Sequence, residues 1–384
     1  MNNLLQEFFY SKSSPLLQYR SVFIQYNLYF GSCQWSIIVL RGDFFEQTNC
    51  IYKKNKAELL DVENQTLKPN QIKVKTVYST ISNGTEKANV TGNPMVSLCS
   101  TPDDVAKFPR SSGYSSSGIV VETGENVKNL KAGDRVAMYW SKHMLFNVLD
   151  EKNAVKIKSD KVSFEEASIA HIGTFPLAAI RKTRLEIGES LIVMGLGTLG
   201  LMAVHFARAA GAVPVIAVDP VKERREKALE FGADFAFDPF EDDFVDKIKS
   251  ITGGGANVAI EVTGQGAGLN EVLDCMAPFG RVALLGCTRE SNFNVDYYKK
   301  VHGPGITLIG AHTLARPEND SYPGYFTTTD DIKSILKLCA AGRINLKNMI
   351  DETHSPTECT EIYNRLISDR TFPTIVQFNW EDLK

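Results

Sequence analysis

The run Gly195-Leu196-Gly197-Thr198-Leu199-Gly200 constrains the fold more than any other part of the chain. With 28 glycines in 384 residues, a G-x-G-x-x-G match arises easily by chance, so its flanks decide its meaning. Before it stands the apolar run Leu191–Met194, and after it an apolar stretch over residues 199–210 with helical spacing. Strand, glycine turn and helix in that order form a dinucleotide-binding unit. Gly195 makes the tight turn, Gly197 lets backbone approach a pyrophosphate, and Gly200 lets helix pack on strand. Thr198 and Leu199 open the helix, whose positive N-terminus faces the phosphates.

Asp219 follows Gly200 by 19 residues, at the end of a second apolar run over residues 213–218. A carboxylate there accepts hydrogen bonds from the ribose hydroxyls of NAD and repels the extra phosphate of NADP. Its other reading is a turn begun with Pro220. Arg224 and Arg225 lie close behind and soften the preference, so NAD is expected and NADP remains possible.

From Ser190 onward strands and helices alternate. Strands are expected at 191–194, 213–218, 258–262, 282–285 and 307–310, with helices at 199–210 and 222–231. That alternation predicts an α/β fold with a doubly wound parallel sheet. Upstream the text differs: residues 72–77, 118–122 and 134–138 read as short strands with turns between them, a β-rich region. Helical spacing begins near Ser163. Helices over 331–341 and 356–368 and a strand over 374–378 close the chain. Residues 1–47 are aromatic-rich, as in Phe8-Phe9-Tyr10, yet show no clean period of either kind, and read as an extension.

A net charge of -3 without a long basic run leaves no electrostatic footprint for nucleic acid or an anionic membrane, so the expected partner is a small-molecule substrate. No apolar stretch approaches the ~20 residues a membrane span needs, and the N-terminus is a poor signal peptide. The seven cysteines never stand in C-x-x-C spacing and read as reduced core thiols. A cytoplasmic protein is expected.

Residues 163–238, with the glycine motif, Ala210-Gly211-Ala212, Asp219 and Phe231-Gly232-Ala233-Asp234, resemble medium-chain alcohol dehydrogenases, as does Gly133-Asp134-Arg135-Val136. The resemblance spans about residues 50–380 and implies a GroES-like catalytic domain (48–168 and 315–384) interrupted by a Rossmann NAD-binding domain (169–314). It also implies a homodimer or tetramer. Gly84-Thr85-Glu86, Gly113-Tyr114-Ser115 and Ile309-Gly310-Ala311-His312 resemble the branch that includes bacteriochlorophyllide dehydrogenases.

The departures matter most. Where zinc-dependent members carry Cys-Gly-Thr-Asp and Gly-His-Glu, this chain has Asn83-Gly84-Thr85-Glu86 and Gly113-Tyr114-Ser115. The third ligand position falls on Ala170, beside His171, and the four-cysteine lobe of the structural zinc is missing after Met138. Asparagine, tyrosine and alanine do not replace the thiolate and imidazole set that zinc prefers, so neither zinc is expected.

Without zinc, a developing alkoxide needs hydrogen-bond donors. Tyr114, at a former ligand position, either donates to that oxyanion or fills the vacated cavity. Thr85 aligns with the hydroxyl that relays protons in zinc-dependent relatives, or caps a turn. His171 has the intrinsic pKa for acid–base work near neutrality, or is a satisfied structural histidine. The resemblance puts Thr174, 21 residues before Gly195, at the nicotinamide. A Glu86–Arg110 pair, Lys142 and His143 lining the entrance, and His312 either reaching the cleft or capping its strand complete the expectations. The leading reading is an NAD(H)-dependent oxidoreductase acting on a secondary alcohol or ketone. The alternatives are an enoyl or quinone reductase and a non-catalytic dinucleotide-binding protein.

Overall fold

The computed structural model describes residues 22–30, 33–41, 47–62, 65–96, 105–369 and 371–383. Strands β1 (Val22–Phe30) and β2 (Cys33–Arg41) pair antiparallel, Phe30 opposite Cys33 and Val22 opposite Arg41. This corrects the reading of residues 1–47 as lacking a strand pattern. Both segments are dense in β-branched and aromatic residues, whose strand preference does not depend on strict alternation. Phe8-Phe9-Tyr10 lies outside the described residues.

Glu46–Lys384 forms a separate compact unit. Its first part is strand-rich: β3 (Gln47–Lys53), β4 (Lys56–Val62), β5 (Gln71–Thr80), β6 (Arg110–Ser111), β7 (Ser115–Thr123), β8 (Arg135–Tyr139), β9 (Phe146–Asp150) and β10 (Ala154–Lys156). Helix α1 (Asn83–Thr91) follows β5 directly. Helix α2 (Phe164–Thr183) starts at a capping box, in which the Ser163 hydroxyl accepts from the Glu166 amide and the Glu166 carboxylate accepts from the Ser163 amide.

Beyond α2 come β11 (Leu191–Met194), α3 (Thr198–Ala210), β12 (Val215–Val218), α4 (Lys222–Glu230), β13 (Phe235–Phe237), α5 (Phe244–Thr252), β14 (Ala256–Glu261), α6 (Gly266–Asp274), β15 (Met276–Leu284) and β16 (Thr307–Gly310). The six strands form one parallel sheet in the order β13-β12-β11-β14-β15-β16. Leu191, Val193, Val215 and Ala217 face one apolar core, while Ile192, Met194, Ile216 and Val218 face another. A strand buried on both faces has no reason to alternate polar and apolar residues, which is why these strands read as continuous apolar runs. Val213 and Pro214, expected in the second strand, precede it. Proline offers no N–H to a central ladder.

The chain then returns to the strand-rich part through α7 (Thr328–Ala340), β17 (Glu352–His354), α8 (Cys359–Ser368) and β18 (Val376–Asn379). β18 pairs antiparallel with β5, so strands from both ends of this unit share a sheet ordered β10-β8-β7-β5-β18-β17. No described helix is long and apolar enough to cross a membrane. Cys50, Cys275, Cys339 and Cys359 are buried free thiols, whereas Cys287 is exposed on the loop after β15 and departs from the core-thiol expectation.

The glycine turn behaves as its spacing predicts. Gly195 has φ +97, and a Cβ on Gly200 would lie 1.8 Å from the Gly195 carbonyl oxygen, while one on Gly197 would meet nothing within 4 Å. Gly200→Ala is therefore expected to cost about 2–4 kcal/mol in urea unfolding, against less than about 1 kcal/mol for Gly197→Ala. Equal stabilities for the two variants would refute this account of the turn.

Candidate active site

The site is built where the strand-rich part meets the carboxyl ends of the parallel strands. Ser82 precedes α1, and its hydroxyl accepts a short hydrogen bond from the Tyr114 phenol instead of capping the helix. The Ser82 amide donates to the Glu86 carboxylate at 2.9 Å. Thr85, on the first turn of α1, stands close enough to the Tyr114 hydroxyl to influence its ionisation. Burial pushes Tyr114 well above the ordinary phenol range, and the Glu86 charge adds to that, against the opposing influence of the Ser82 and Thr85 hydroxyls. At neutral pH Tyr114 is a hydrogen-bond donor. Thr85 and Tyr114, chosen separately from the sequence, thus meet, and Ser82 joins them unforeseen.

His171 lies against the other side of the Tyr114 ring, with centroids 5.5 Å apart. Tyr139 at 5.5 Å, Trp140 at 4.8 Å and Phe175 at 5.3 Å complete an aromatic cage around it. The imidazole is 1% exposed and neither ring nitrogen has a partner. Burial, with a smaller contribution from the Arg316 guanidinium, pushes its pKa down to about 3. That corrects the expectation of acid–base work: a ring that costs too much to protonate is a neutral, apolar-facing group at pH 7. Trp140 holds a left-handed backbone, φ 56, costing roughly 1–3 kcal/mol for a bulky residue.

Behind α1 lies a buried polar network. The Glu86 carboxylate accepts from the Tyr52 phenol at 2.5 Å, from the Tyr363 phenol and from the Ser82 amide, and both its oxygens lie 3.2 Å from His143 Nε2. Burial raises the Glu86 pKa, but His143 and the phenol donors outweigh it and hold the carboxyl below its ordinary value. Two expectations fall here. Glu86 faces inward and does not pair with Arg110, which bonds the Lys107 carbonyl and Asn89. His143 is fully buried against Ser79 and Glu86 and does not line an entrance.

Asn83, at a former ligand position, donates to the carbonyls of Pro373 at 2.7 Å and Thr374 at 3.2 Å. The Thr198 hydroxyl donates to the same Thr374 carbonyl. Asp351 Oδ2 accepts from the amides of Thr374 (2.9 Å) and Ile375 (3.0 Å), and Lys227 on α4 bonds both Asp351 and the Thr374 hydroxyl. Among the described residues no three His, Cys, Asp or Glu side chains come together as metal ligands. Asn83, Tyr114 and Ala170 do not fit a zinc ion.

A dinucleotide fits better. Gly197 caps α3 with no side-chain hydrogen bond at that end, leaving the first amides of the helix for a ligand. Leu199 packs against the main core. Asp219 accepts from the Leu196 amide and the Val221 amide, each at 2.8 Å, and Arg224 lies 3.7 Å from its Oδ2. Each carboxylate oxygen retains a further lone pair for a ribose hydroxyl. Arg225 is turned away, engaged with the Asp219 and Pro220 carbonyls and Asp238, so Arg224 alone of the two arginines faces the carboxylate. Thr174 is fully buried, its hydroxyl bonded to the His171 carbonyl and its own carbonyl to Arg316. His312 accepts from the Leu314 amide and shapes the loop after β16. Arg316, which no sequence pattern singles out, joins Thr174 to the fully buried Asp331, itself 3.0 Å from Arg181.

The cage has a measurable signature. His171 titrates near 6.5 when unfolded and about 3 when folded, so the unfolded chain binds more protons between those values. The stabilising effect is complete above pH 6.5 and is lost on acidification, by about 1.4 kcal/mol per pH unit below it. His171→Phe is expected to remove that component from urea unfolding measured at pH 7, 6 and 5. An unchanged slope would show that His171 is not held neutral.

Residues 68–177 match the alcohol dehydrogenase GroES-like domain and residues 198–326 the zinc-binding dehydrogenase family. D-guloside 3-dehydrogenase of Escherichia coli (strain K12) is 24% identical over 330 residues, covering 81% of this chain and 93% of that protein. The crystal structure of 2R,3R-butanediol dehydrogenase from Bacillus subtilis superposes with a TM-score of 0.72 at 23% identity, covering 87% of this chain and 99% of that one. An alcohol dehydrogenase from E. coli CFT073, solved with NADH, gives a TM-score of 0.73 at 18% identity over 87% and 99% of the two chains. Taken with the parallel sheet and its glycine turn, these matches make the chain a member of the alcohol dehydrogenase-like medium-chain dehydrogenase/reductase superfamily, a family of oxidoreductases.

Proposed function

We propose that this chain moves a hydride between NAD(H) and a secondary alcohol or its ketone without a catalytic zinc. The observation that carries the reading is the Tyr114 phenol, held protonated at a former metal-ligand position, bonded to Ser82 and with Thr85 close by. The nicotinamide, when bound, gives or takes the hydride. The protein must then handle the oxygen and its proton. With substrate bound, the Ser82 hydroxyl turns to donate to the Tyr114 oxygen, and the single phenol proton is donated to the substrate oxygen as negative charge grows on it, the task a metal otherwise performs. In oxidation the substrate's hydroxyl proton passes to the Tyr114 oxygen as the phenol proton passes to Ser82, whose own proton leaves toward solvent; reduction runs the same relay backwards, so Tyr114 stays neutral throughout. His171, neutral and caged, holds the ring in place.

The cofactor choice rests on Asp219, whose carboxylate is held at the glycine turn by the Leu196 amide and can accept from the ribose hydroxyls of NAD; of the solved neighbours, one carries NADH and another NADP. Arg224 beside it leaves NADP a weaker ligand. Guloside and butanediol, in the relatives' names, both carry more than one hydroxyl, so polyols and sugars head the substrate panel.

Metal analysis of the purified protein, followed by NADH-linked assays on that panel with and without chelator, tests the reading. Turnover that survives chelation without bound zinc is expected, and stoichiometric zinc whose removal abolishes turnover would overturn it. Tyr114→Phe is expected to lower kcat by about a hundredfold with little change in NADH affinity. Asp219→Ser should narrow the NADH-over-NADPH preference by about tenfold, read from kcat/KM for each cofactor.

A further inference from the structure

A second cavity, about 960 Å³, opens between residues 151–159 and α7, lined by residues that do not belong to the site described above. Its floor is apolar: Leu130, Val155, Ile157, Val162 and Leu336 are all buried. Its rim carries five lysines. Lys156 is paired with Asp134 at 2.6 Å and Lys333 with Asp330 at 3.0 Å. Lys152, Lys158 and Lys337 form no salt bridge with any described residue. Glu151, the one acidic lining residue, is occupied by the backbone amides of Lys128 and Asn129, at 3.2 and 2.5 Å. An apolar floor below three uncompensated cations complements an apolar chain that ends in a negative charge. The volume suits one small molecule, within the ~300–1,000 Å³ typical of ligand pockets. A concave site of that size fits a single molecule better than a bilayer surface.

The cavity also touches the cage. The Tyr139 hydroxyl donates to the Lys152 carbonyl at 2.6 Å and shares a hydrogen bond with Thr329 at 2.9 Å, both residues of the cavity wall. The ring of the same tyrosine lies against His171, which abuts Tyr114 and Trp140.

We propose that this cavity binds one amphiphilic anion, a medium-length aliphatic chain ending in a carboxylate, and that Tyr139 transmits its occupancy to the His171 cage. Binding stands independently of the reaction proposed above. Calorimetric titration of the full chain with decanoate tests it, with 1-decanol supplying chain without charge and inorganic phosphate charge without chain. Saturable 1:1 binding of decanoate, with neither control binding in the same concentration range, is expected. Lys158→Glu/Lys337→Glu should weaken binding at least about tenfold, and Ala340→Phe, which projects a ring into the cavity from its partly buried wall position on α7, should do the same, both with unchanged melting temperatures. Phosphate binding as tightly as decanoate, adsorption only to anionic vesicles, or decanoate binding indifferent to both variants would each overturn the site. Occupancy should also shift the tryptophan emission, and the shift should vanish in Trp140→Phe. Binding with no such shift would overturn the transmission through Tyr139.

Discussion

Two neighbouring backbone carbonyls, those of Pro373 and Thr374, hold the halves of the site in register. Asn83 reaches them from the helix that carries Thr85, and Thr198 reaches Thr374 from the helix that begins at the glycine turn. Asp351 and Lys227 clamp the same short segment from two further elements. The two carbonyls act through the backbone, while the Thr374 hydroxyl adds side-chain bonds to Asp351 and Lys227, and together they fix where α1 and α3 start relative to each other. Any movement between the strand-rich part and the parallel sheet must turn about this point or break several hydrogen bonds at once.

Around that anchor, buried polar groups divide by how fully they are satisfied. Glu86 collects phenol, imidazole and amide partners, so its charge persists in a dry setting. His171 collects none and is kept neutral instead. Tyr114 stands between them: the charge of one discourages its ionisation, while the ring of the other packs against it. The neutral state of the phenol thus follows from its neighbours.

The cofactor half of the site was legible in the sequence because its determinants are local. The glycine spacing, the two apolar runs and Asp219 all fall within residues 191–219, and helix and strand limits there agree to within a residue or two, apart from the strand that Pro214 shortens. The other half was legible only in part. Thr85 and Tyr114 were picked out through resemblance, and they meet; Ser82, Trp140 and Arg316 carry no pattern that names them. Glu86 was read against Arg110, 24 positions away, whereas its side-chain partners lie 34, 57 and 277 positions away, separations that composition and periodicity do not reach. The structure adds α5 and α6 between the expected strands. The hairpin at 22–41 was missed because strand propensity without strict alternation looks like no pattern at all.

The distances within the Glu86 network also set an order of events during synthesis. Tyr52, Glu86 and His143 leave the ribosome long before Tyr363, and β5 waits for β18 to pair beside it. Until residues 359–379 emerge, a carboxylate destined for a dry interior lacks one phenol partner, and β5 lacks its neighbour on that side. The parallel sheet, whose strands follow one another closely in the chain, has no such delay. The nucleotide-binding half can therefore be in place first, with the catalytic half closing onto it once translation has passed α8 and β18.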